Sequence, residues 1–394
     1  MEDPKDRLVT SISTDELERR WKASRDLMKD RGIDYLLMRN DEEYFGGYVK
    51  WFTDIPARHS YPFTVIFPAD DEMTTITSSP PAEPGPKAWA VRGVKKRLGA
   101  PYYPALHYTS TYDAELAVGV LKEKKGATVG IVGKAFFHVP FYEYLTQHLP
   151  GVKFTDVTDP LDHLKAIKSP EEIEMIKQTA AIQDMALEYV GKNIKPGMRE
   201  LDILAEAHYI STRLGCERLQ VLTCSYPPGE PSGFNQRHFM NRVIKEKDHF
   251  VILIEGNGPG GYYTEIARPF SLGEPSQETM DTYGVVLEAE AVTLDLLRPG
   301  ADPKEIWDAH NAFLRGKGLA PEGRLYAHGE GYDLVERPAI RYDETMILRP
   351  GMNLAVHPVG KSKNVWTTMC NNYLITESGV GPCLHKTPKG MIIL

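Results

Sequence analysis

The segment from Phe250 to Phe270 limits the possible folds of this chain more than any other feature. It reads FVILIEGNGPGGYYTEIARPF, so five apolar residues lead to Glu255, and a glycine-rich turn leads to a second run that carries Glu265. A short, β-branched run bounded by glycine and proline predicts a buried strand. The turn is too rich in glycine for a helix or a strand, and it predicts a hairpin whose backbone passes close to another element.

The two carboxylates of this hairpin are the first candidate functional groups. A carboxylate without a partner is costly at the end of an apolar strand. We therefore expect Glu255 to bind a metal ion, to pair with a cationic group or to share a proton. The alternative is that Glu255 and Glu265 are solvated hairpin residues, since acidic side chains are seldom fully buried without a partner.

Composition excludes several classes of protein. The 394 residues are enough for two or three domains, and 42% hydrophobic with 25% charged residues is typical of a soluble globular chain. The net charge is -8, and no basic cluster with interleaved aromatic residues indicates a nucleic-acid partner. The four cysteines are too few for a disulfide framework. The N-terminal sequence MEDPKDRLVT lacks the apolar core of a signal peptide, and no apolar run approaches the roughly 18 residues of a membrane span. We therefore expect a cytoplasmic protein without a membrane partner.

The chain is predicted to contain two domains. Alternating helices and short apolar strands, among them a helix from Thr14 to Arg31 and a strand from Ile33 to Met38, predict an α/β domain at 1–165. A capping box at Ser169-Pro170-Glu171-Glu172 then begins a long helix, and we assign 166–394 to a second domain.

The second domain contains a repeated pattern. Pro196-Gly197 and Pro299-Gly300 each lie between two predicted helices, and strands follow the second helix in both cases. The repetition predicts an internal duplication, in which two halves each combine a helix pair with a sheet.

Several motifs in this order resemble the creatinase/aminopeptidase P superfamily, the pita-bread fold of peptidase clan M24. They are the linker helix KSPEEIEMI, the two Pro-Gly-linked helix pairs, YAHGEG at 326–331, PGMNLAVHP at 350–358 and MCNNYLITESG at 369–379. The resemblance implies an α/β (α+β) chain with an N-terminal creatinase-like domain and a pita-bread catalytic domain of pseudo-two-fold internal symmetry. It also implies a homodimer in which one subunit's N-terminal domain leans over the other's site.

The resemblance also implies a set of metal positions. Metal-dependent members hold two metal ions with Asp, Asp, His, Glu and Glu, and motif by motif these positions fall here on Glu255, Glu265, His328, His357 and Cys370. Four of the five therefore differ from the peptidase pattern, and Val335 stands where those peptidases have a second histidine. The metal-free creatinase branch is not matched either, because its catalytic glutamate also falls on His357.

The chemistry of these positions leaves two interpretations open. Two carboxylates, two imidazoles and a thiol suit one divalent metal ion, zinc or iron, whereas the loss of the bridging glutamates argues against two ions. In the alternative, no metal is bound. Glu265, His328 and His357 then act as general acid and base, with His238 as a proton shuttle.

We expect contacts with a small-molecule substrate from seven further residues: Tyr262, Tyr263, Arg268, Glu336, Arg337, Trp51 and Tyr61. Arg268 either holds a substrate carboxylate bidentately or pairs with Glu265. The adjacent Glu336-Arg337 is either a substrate clamp or a local ion pair. By resemblance, the two aromatic residues of the first domain enter the partner's cavity, and core packing is the alternative.

The altered ligands favour a non-peptidase enzyme as the leading interpretation. It would be a hydrolase or lyase that cleaves a small zwitterionic or carboxylate-bearing metabolite by general acid/base catalysis, with or without one metal ion. One alternative is a metal-dependent Xaa-Pro dipeptidase or aminopeptidase, which the retained His328 supports. The other is a catalytically inactive pseudoenzyme that binds a partner.

Overall fold

The computed structural model describes residues 11–79, 88–235 and 241–394. These residues divide into two compact units, 11–165 and 166–394. Within the described ranges, no helix combines the length and the apolar character that crossing a membrane requires.

The N-terminal unit has a mixed six-stranded sheet of order β4-β3-β2-β1-β5-β6. Its helices are α1 (Thr14–Arg31), α2 (Gly47–Thr53), α3 (Tyr112–Leu121), α4 (Val139–His148) and α5 (Thr158–Ala166), and its strands are β1 (Tyr35–Asn40), β2 (Phe63–Pro68), β3 (Met73–Thr77), β4 (Val94–Gly99), β5 (Thr128–Val132) and β6 (Lys153–Asp156). Strand β1 is antiparallel to β2 and parallel to β5. Leu37, Val129 and Phe141 belong to the core between this sheet and α3 and α4.

Helix α1 has the predicted bounds, and its caps explain them. The Ser13 hydroxyl accepts a hydrogen bond from the Glu16 backbone N–H, 3.1 Å away. Gly32 ends the helix in the left-handed conformation, and the N–H of Ile33 donates to the Met28 carbonyl. Because this bond uses the backbone of Ile33, β1 begins at Tyr35 rather than at the predicted Ile33.

Arg20 of α1 forms a buried ion pair within its own helix and also bonds to the backbone of α2. Arg20 is fully buried, and its Nε donates to Glu16 Oε1 at 2.7 Å, while its Nη1 donates to the Trp51 carbonyl at 3.1 Å. The indole of Trp51 packs edge-on against Phe52 beneath the guanidinium and is only 2% exposed. This burial corrects the prediction that Trp51 contacts substrate. Tyr61 is 47% exposed, and its substrate contact stays a prediction.

Replacing Glu16 by glutamine should destabilise α1, because it removes the negative charge that pairs with the buried Arg20 guanidinium. Breaking a buried pair in this way costs about 3 kcal/mol or more, and hydrogen exchange of the α1 amides measures the loss. Asp26→Asn, which breaks the exposed Lys22–Asp26 pair on the same helix, is the control and should cost less than about 1 kcal/mol. Equal protection of α1 in wild type and Glu16→Gln would contradict this account.

The contribution of Glu16 should also depend on pH. Burial acts to raise the pKa of Glu16, but hydrogen bonds and charges from Arg19 and Arg20 outweigh it and lower the pKa below its ordinary value of 4.5. The stabilisation is therefore complete above pH 4.5 and is lost as the pH falls through the folded-state pKa. The difference in α1 protection between wild type and Glu16→Gln should shrink below pH 4.5. A difference that stays constant into acid would show that the carboxylate charge is not responsible.

The C-terminal unit contains two larger antiparallel sheets and their helices. Its elements are α6 (Pro170–Asn193), α7 (Glu200–Arg213), β7 (Leu219–Tyr226), β8 (His249–Asn257), β9 (Tyr263–Ser271), α8 (Gln277–Leu294), α9 (Pro303–Gly316), β10 (Ala327–Gly329), β11 (Glu336–Ile340), β12 (Asn353–Val356), β13 (Val359–Lys361), β14 (Trp366–Thr368), β15 (Asn371–Thr376), β16 (Gly379–Cys383) and β17 (Ile392–Ile393). One sheet has the order β17-β9-β8-β7, the other the order β11-β10-β12-β15-β16, and β13 pairs with β14. Among the strand pairs that the structure describes in this unit, only that of the short β17 with β9 is parallel.

The two halves of this unit follow the same plan. In each half a pair of helices, α6–α7 or α8–α9, precedes the strands of an antiparallel sheet, in agreement with the predicted duplication. A β-bridge between Ala267 of β9 and Cys370, immediately before β15, lies where the two sheets meet.

Glycine allows the β8–β9 turn to lie against α6. A Cβ atom at Gly258 would come within 2.6 Å of the Thr179 hydroxyl, and one at Gly260 would come within 2.2 Å of the Met175 sulfur. Gly260 also has a φ of +68°, a conformation that residues with a side chain rarely adopt. The close approach predicted for this hairpin is therefore confirmed.

The capping box of α6 also holds the hairpin. Ser169 accepts from the Glu172 N–H at 3.2 Å, and Glu172 Oε2 accepts from the Ser169 N–H at 2.6 Å. The second oxygen of Glu172 accepts from the hydroxyl of Tyr262 at 2.9 Å. Tyr262 follows the glycine-rich turn, so one carboxylate fixes both the beginning of α6 and the beginning of β9.

Candidate metal centre

Three buried carboxylates lie together at the junction of the two sheets. Glu255 of β8 and Glu265 of β9 are directly opposite each other in the strand register, and Glu330 follows the end of β10. One oxygen of each lies within 4.8 Å of the others. Burial raises the pKa of Glu255 and of Glu330 well above the ordinary value, and the charge of Glu265 raises both further. The arrangement therefore favours a cation or shared protons among the three groups.

Two histidines complete the cluster. His328 lies on β10, between β11 and β12, and His357 follows the end of β12, so their rings are 5.2 Å apart. His328 Nδ1 is 3.0 Å from the Gly329 carbonyl. A carbonyl can only accept, so Nδ1 carries a proton in this tautomer. Nε2 then faces Glu265 Oε2 at 3.5 Å. Since both atoms can accept, a proton or a metal ion must lie between them.

The donor atoms fit a divalent metal. Glu265 belongs to two groups whose ligand atoms lie within 4.8 Å of one another, Glu265–His328–His357 and Glu255–Glu265–Glu330. The 3.5 Å between Nε2 of His328 and Oε2 of Glu265 is close to the roughly 3.3 Å that separates two ligands on one tetrahedral ion. Each group also keeps a buried atom, His357 Nε2 or Glu330 Oε1, that has no hydrogen-bond partner in the described part of the chain. Mixed carboxylate and imidazole ligands suit zinc, manganese or iron.

The protonation states of Glu265 and His357 are those that a metal ligand needs. Burial acts to raise the pKa of Glu265, but its contacts with the neighbouring histidines, the hydrogen bond with His328 first among them, outweigh burial and lower the pKa to about 2, so Glu265 is ionised near pH 7. Burial lowers the pKa of His357 to about 4, which keeps the imidazole neutral near pH 7 and able to bind a metal. Burial raises the pKa of the Cys370 thiol well above the ordinary value, and neighbouring carboxylates add to the effect.

The set of donors differs from the predicted five. The structure brings together Glu255, Glu265, His328 and His357, but it adds Glu330 and leaves Cys370 outside both groups. Burial and the neighbouring carboxylates raise the pKa of the Cys370 thiol, which keeps it protonated, whereas a metal ligand must be a thiolate. The sequence analysis did not identify Glu330 as a candidate ligand. The signal that could have identified it is an acidic residue between two glycines, two residues after His328. His238 lies outside the described residues.

The surroundings of Arg268 correct the prediction that it binds a substrate carboxylate. Nε donates to the Pro388 carbonyl, Nη1 to the Ala267 and Cys370 carbonyls, and Nη2 to Asn371 Oδ1 and the Thr387 carbonyl. A guanidinium has five N–H groups, and these five acceptors occupy all of them. Arg268 therefore fastens the chain around Thr387 and Pro388 to β9, and neither predicted alternative applies.

The other predicted contact residues have structural partners as well. The Tyr262 ring stacks on Tyr332 at 4.4 Å, and Tyr263 is fully buried on β9. Glu336 and Arg337 each form an ion pair with a residue elsewhere in the domain. Glu336 pairs with the buried Lys168 at 2.7 Å, and Arg337 pairs with Glu344 at 2.5 Å. Their interpretation as local ion pairs therefore agrees with the structure better than a substrate clamp.

Two family models match this chain and together cover most of it. Residues 174–381 match metallopeptidase family M24, and residues 20–167 match the creatinase/prolidase N-terminal domain. The chain belongs to family M24. The resemblance to the creatinase/aminopeptidase P superfamily is thereby confirmed.

Curated relatives of the chain include peptidases. The chain is 28% identical over 255 residues to an uncharacterized peptidase of Bacillus subtilis, YqhT, which covers 62% of this chain and 69% of the relative. It is 26% identical over 304 residues to an Xaa-Pro dipeptidase of Pyrococcus furiosus, which covers 74% of this chain and 85% of the relative. The match to the probable dipeptidase PepE of Mycobacterium tuberculosis, 26% identical over 242 residues, covers 60% of this chain and 64% of the relative.

Solved structures confirm the fold class. The X-Pro aminopeptidase of Thermotoga maritima superposes with a TM-score of 0.78 at 21% identity, covering 95% of this chain and 99% of the aminopeptidase. Dipeptidase PepE of Mycobacterium ulcerans gives a TM-score of 0.79 at 20% identity, covering 97% of this chain and 99% of the dipeptidase. The chain thus has a creatinase-like N-terminal domain followed by a pita-bread domain.

These relatives overturn the leading functional interpretation of the sequence. They are named as peptidases and dipeptidases, whereas we predicted a non-peptidase hydrolase or lyase. That interpretation was wrong because it gave too much weight to the changed residue types at the metal positions. The assignment to the hydrolases of family M24 stands.

Because Glu265 belongs to both donor groups, its replacement should reduce metal binding more than the replacement of Glu255, which belongs to one. Replacing a residue that only supports a metal ligand costs roughly 10- to 100-fold in affinity, so Glu265→Gln should cost at least as much. Metal content per chain after incubation with Mn²⁺ or Zn²⁺ and gel filtration measures the loss. Glu377→Gln, at an exposed position, is the control. Equal metal content in Glu265→Gln and wild type would show that Glu265 is not a metal ligand.

Proposed function

We propose that this chain is a metal-dependent hydrolase of Xaa-Pro dipeptides. The observation that carries the proposal is the arrangement of two groups of possible metal ligands around the shared Glu265 within the family M24 domain. The names of the relatives support the substrate class, because both an Xaa-Pro dipeptidase and an X-Pro aminopeptidase are among them.

Five residues would hold metal at the site. Glu265, His328 and His357 would hold a cation on one side, and Glu255 with Glu330 would extend the site on the other. A divalent cation bound there would polarise the scissile carbonyl and lower the pKa of a water molecule. Hydrolysis breaks the bond between the carbonyl carbon and the proline nitrogen. Water supplies a hydroxyl to the carbon and a proton to the nitrogen.

Glu330 is the residue best placed to move that proton. Its Oε1 is buried and has no hydrogen-bond partner in the described residues, so it can accept a proton from water and release it to the proline nitrogen. The second histidine of the peptidases is absent, since Val335 occupies its position. We therefore assign proton transfer to Glu330 rather than to a histidine at 335.

The quaternary state and the location remain predictions from the sequence. A homodimer is implied by the resemblance, and in it the half-exposed Tyr61 would be the residue to test for a contact with substrate bound by the partner. The cytoplasmic location likewise stays an expectation from the sequence.

The proposal predicts metal-dependent cleavage of Gly-Pro, Ala-Pro or Leu-Pro by the purified chain. Removal of metal with a chelator should abolish turnover, and Mn²⁺, Zn²⁺ or Fe²⁺ should restore it. Glu265→Gln should lower kcat/KM by about 100-fold or more, whereas Glu377→Gln should leave it unchanged. Absence of turnover with every dipeptide, in protein shown to carry metal, would refute the proposed function.

A further inference from the structure

An asparagine on β15 bonds to both sides of the candidate metal centre. The side-chain oxygen Oδ1 of Asn372 accepts from the backbone N–H of Glu265 at 2.8 Å, and its Nδ2 donates to Glu330 Oε2 at 2.5 Å. The backbone N–H of Glu265 can only donate, so Oδ1 must face it. The amide orientation is therefore fixed, and its donor must face Glu330.

The two carboxylate oxygens of Glu330 differ in their hydrogen bonding. Oε2 accepts from Asn372, whereas the buried Oε1 has no partner in the described ranges. The backbone of Glu330 is held separately, because its N–H donates to the Asn353 carbonyl at 3.1 Å. Asn353 of β12 thus places the main chain of Glu330, and Asn372 of the neighbouring strand places its carboxylate.

Asn372 is itself anchored from the opposite side. Its backbone N–H donates to His385 Nδ1 at 3.3 Å, and His385 Nε2 contacts Gln183 Oε1 of α6 at 3.0 Å. Gln183 Oε1 also accepts from the hydroxyl of Thr264. The imidazole therefore donates from Nε2 and accepts at Nδ1, which connects α6 to β15 behind the metal centre.

We infer that Asn372 is a positioning residue that orients the Glu330 carboxylate and leaves Oε1 as its free acceptor in the metal centre. The role in catalysis rests on the proposed function, but the orientation of Glu330 does not. Asn372 touches neither substrate nor metal in this account, and it acts through Glu330.

The first test compares crystal structures of wild type, Asn372→Leu and Asn371→Leu. Leucine has nearly the shape of asparagine but cannot donate. In Asn372→Leu the Glu330 carboxylate should move by more than the roughly 0.5 Å that a functional site tolerates. Asn371 is equally buried on the same strand, but it bonds to Arg268 and Glu290, so Asn371→Leu should leave Glu330 in place. If Asn372→Leu does not fold, Asn372→Ala replaces it. A Glu330 carboxylate that keeps its position without the Asn372 amide overturns the inference.

The second test is a double-mutant cycle on the affinity for Mn²⁺ and on kcat/KM. Asn372→Leu alone should lower both by about 10- to 100-fold, the usual cost of losing a residue that orients a ligand. In a Glu330→Ala background, the same replacement should cost several-fold less, because only the bond between Asn372 and the Glu265 backbone is then left to lose. An equal loss in both backgrounds would mean that Asn372 acts independently of Glu330 and would overturn the inference.

The two proposals fail in different ways. Wild-type protein that binds metal but cleaves no Xaa-Pro dipeptide refutes the proposed function, and the crystallographic comparison still decides the role of Asn372. An unmoved Glu330 refutes the positioning role even if the enzyme cleaves the dipeptides.

Discussion

The C-terminal domain must compensate the electrostatic repulsion among three buried carboxylates. Glu255, Glu265 and Glu330 have ligand atoms within 4.8 Å of one another, and burial together with the charge of Glu265 raises the pKa of the other two. Such a cluster is stable only if cations or protons compensate its charge. The neighbouring His328, which faces Glu265, and the free acceptor atoms of the site agree with compensation by a divalent metal.

The fold keeps these groups together through contacts that lie outside the site. The glycine-rich turn lets the β8–β9 hairpin lie on α6, and Glu172 joins the beginning of that helix to Tyr262. The buried Lys168–Glu336 pair holds the segment after Glu330, where a Cβ at Gly331 would come within 2.5 Å of the lysine nitrogen. The linker that begins the catalytic domain therefore supports both sides of the metal centre.

Local patterns in the sequence predicted much of this fold. The caps of α1 and α6, the hairpin at 250–270 and the motif order of family M24 depend on neighbouring residues, and the structure contains all of them. Glu330 and Asn372 were missed because their roles depend on the pairing of β10, β12 and β15, which brings distant residues together. Arg268 was misjudged for the same reason, since its five acceptors come from three separate segments. The function was misread because residue types changed at the metal positions, while side chains that could hold a metal remained there.

The most direct test of the central claim is anomalous X-ray diffraction from crystals of the wild-type protein grown with Mn²⁺. The account predicts a metal peak bonded to Glu265, shared with His328 and His357 or with Glu255 and Glu330. A well-ordered site without a peak, in which protons alone join these side chains, would contradict it. A peak bound by other residues would contradict it equally.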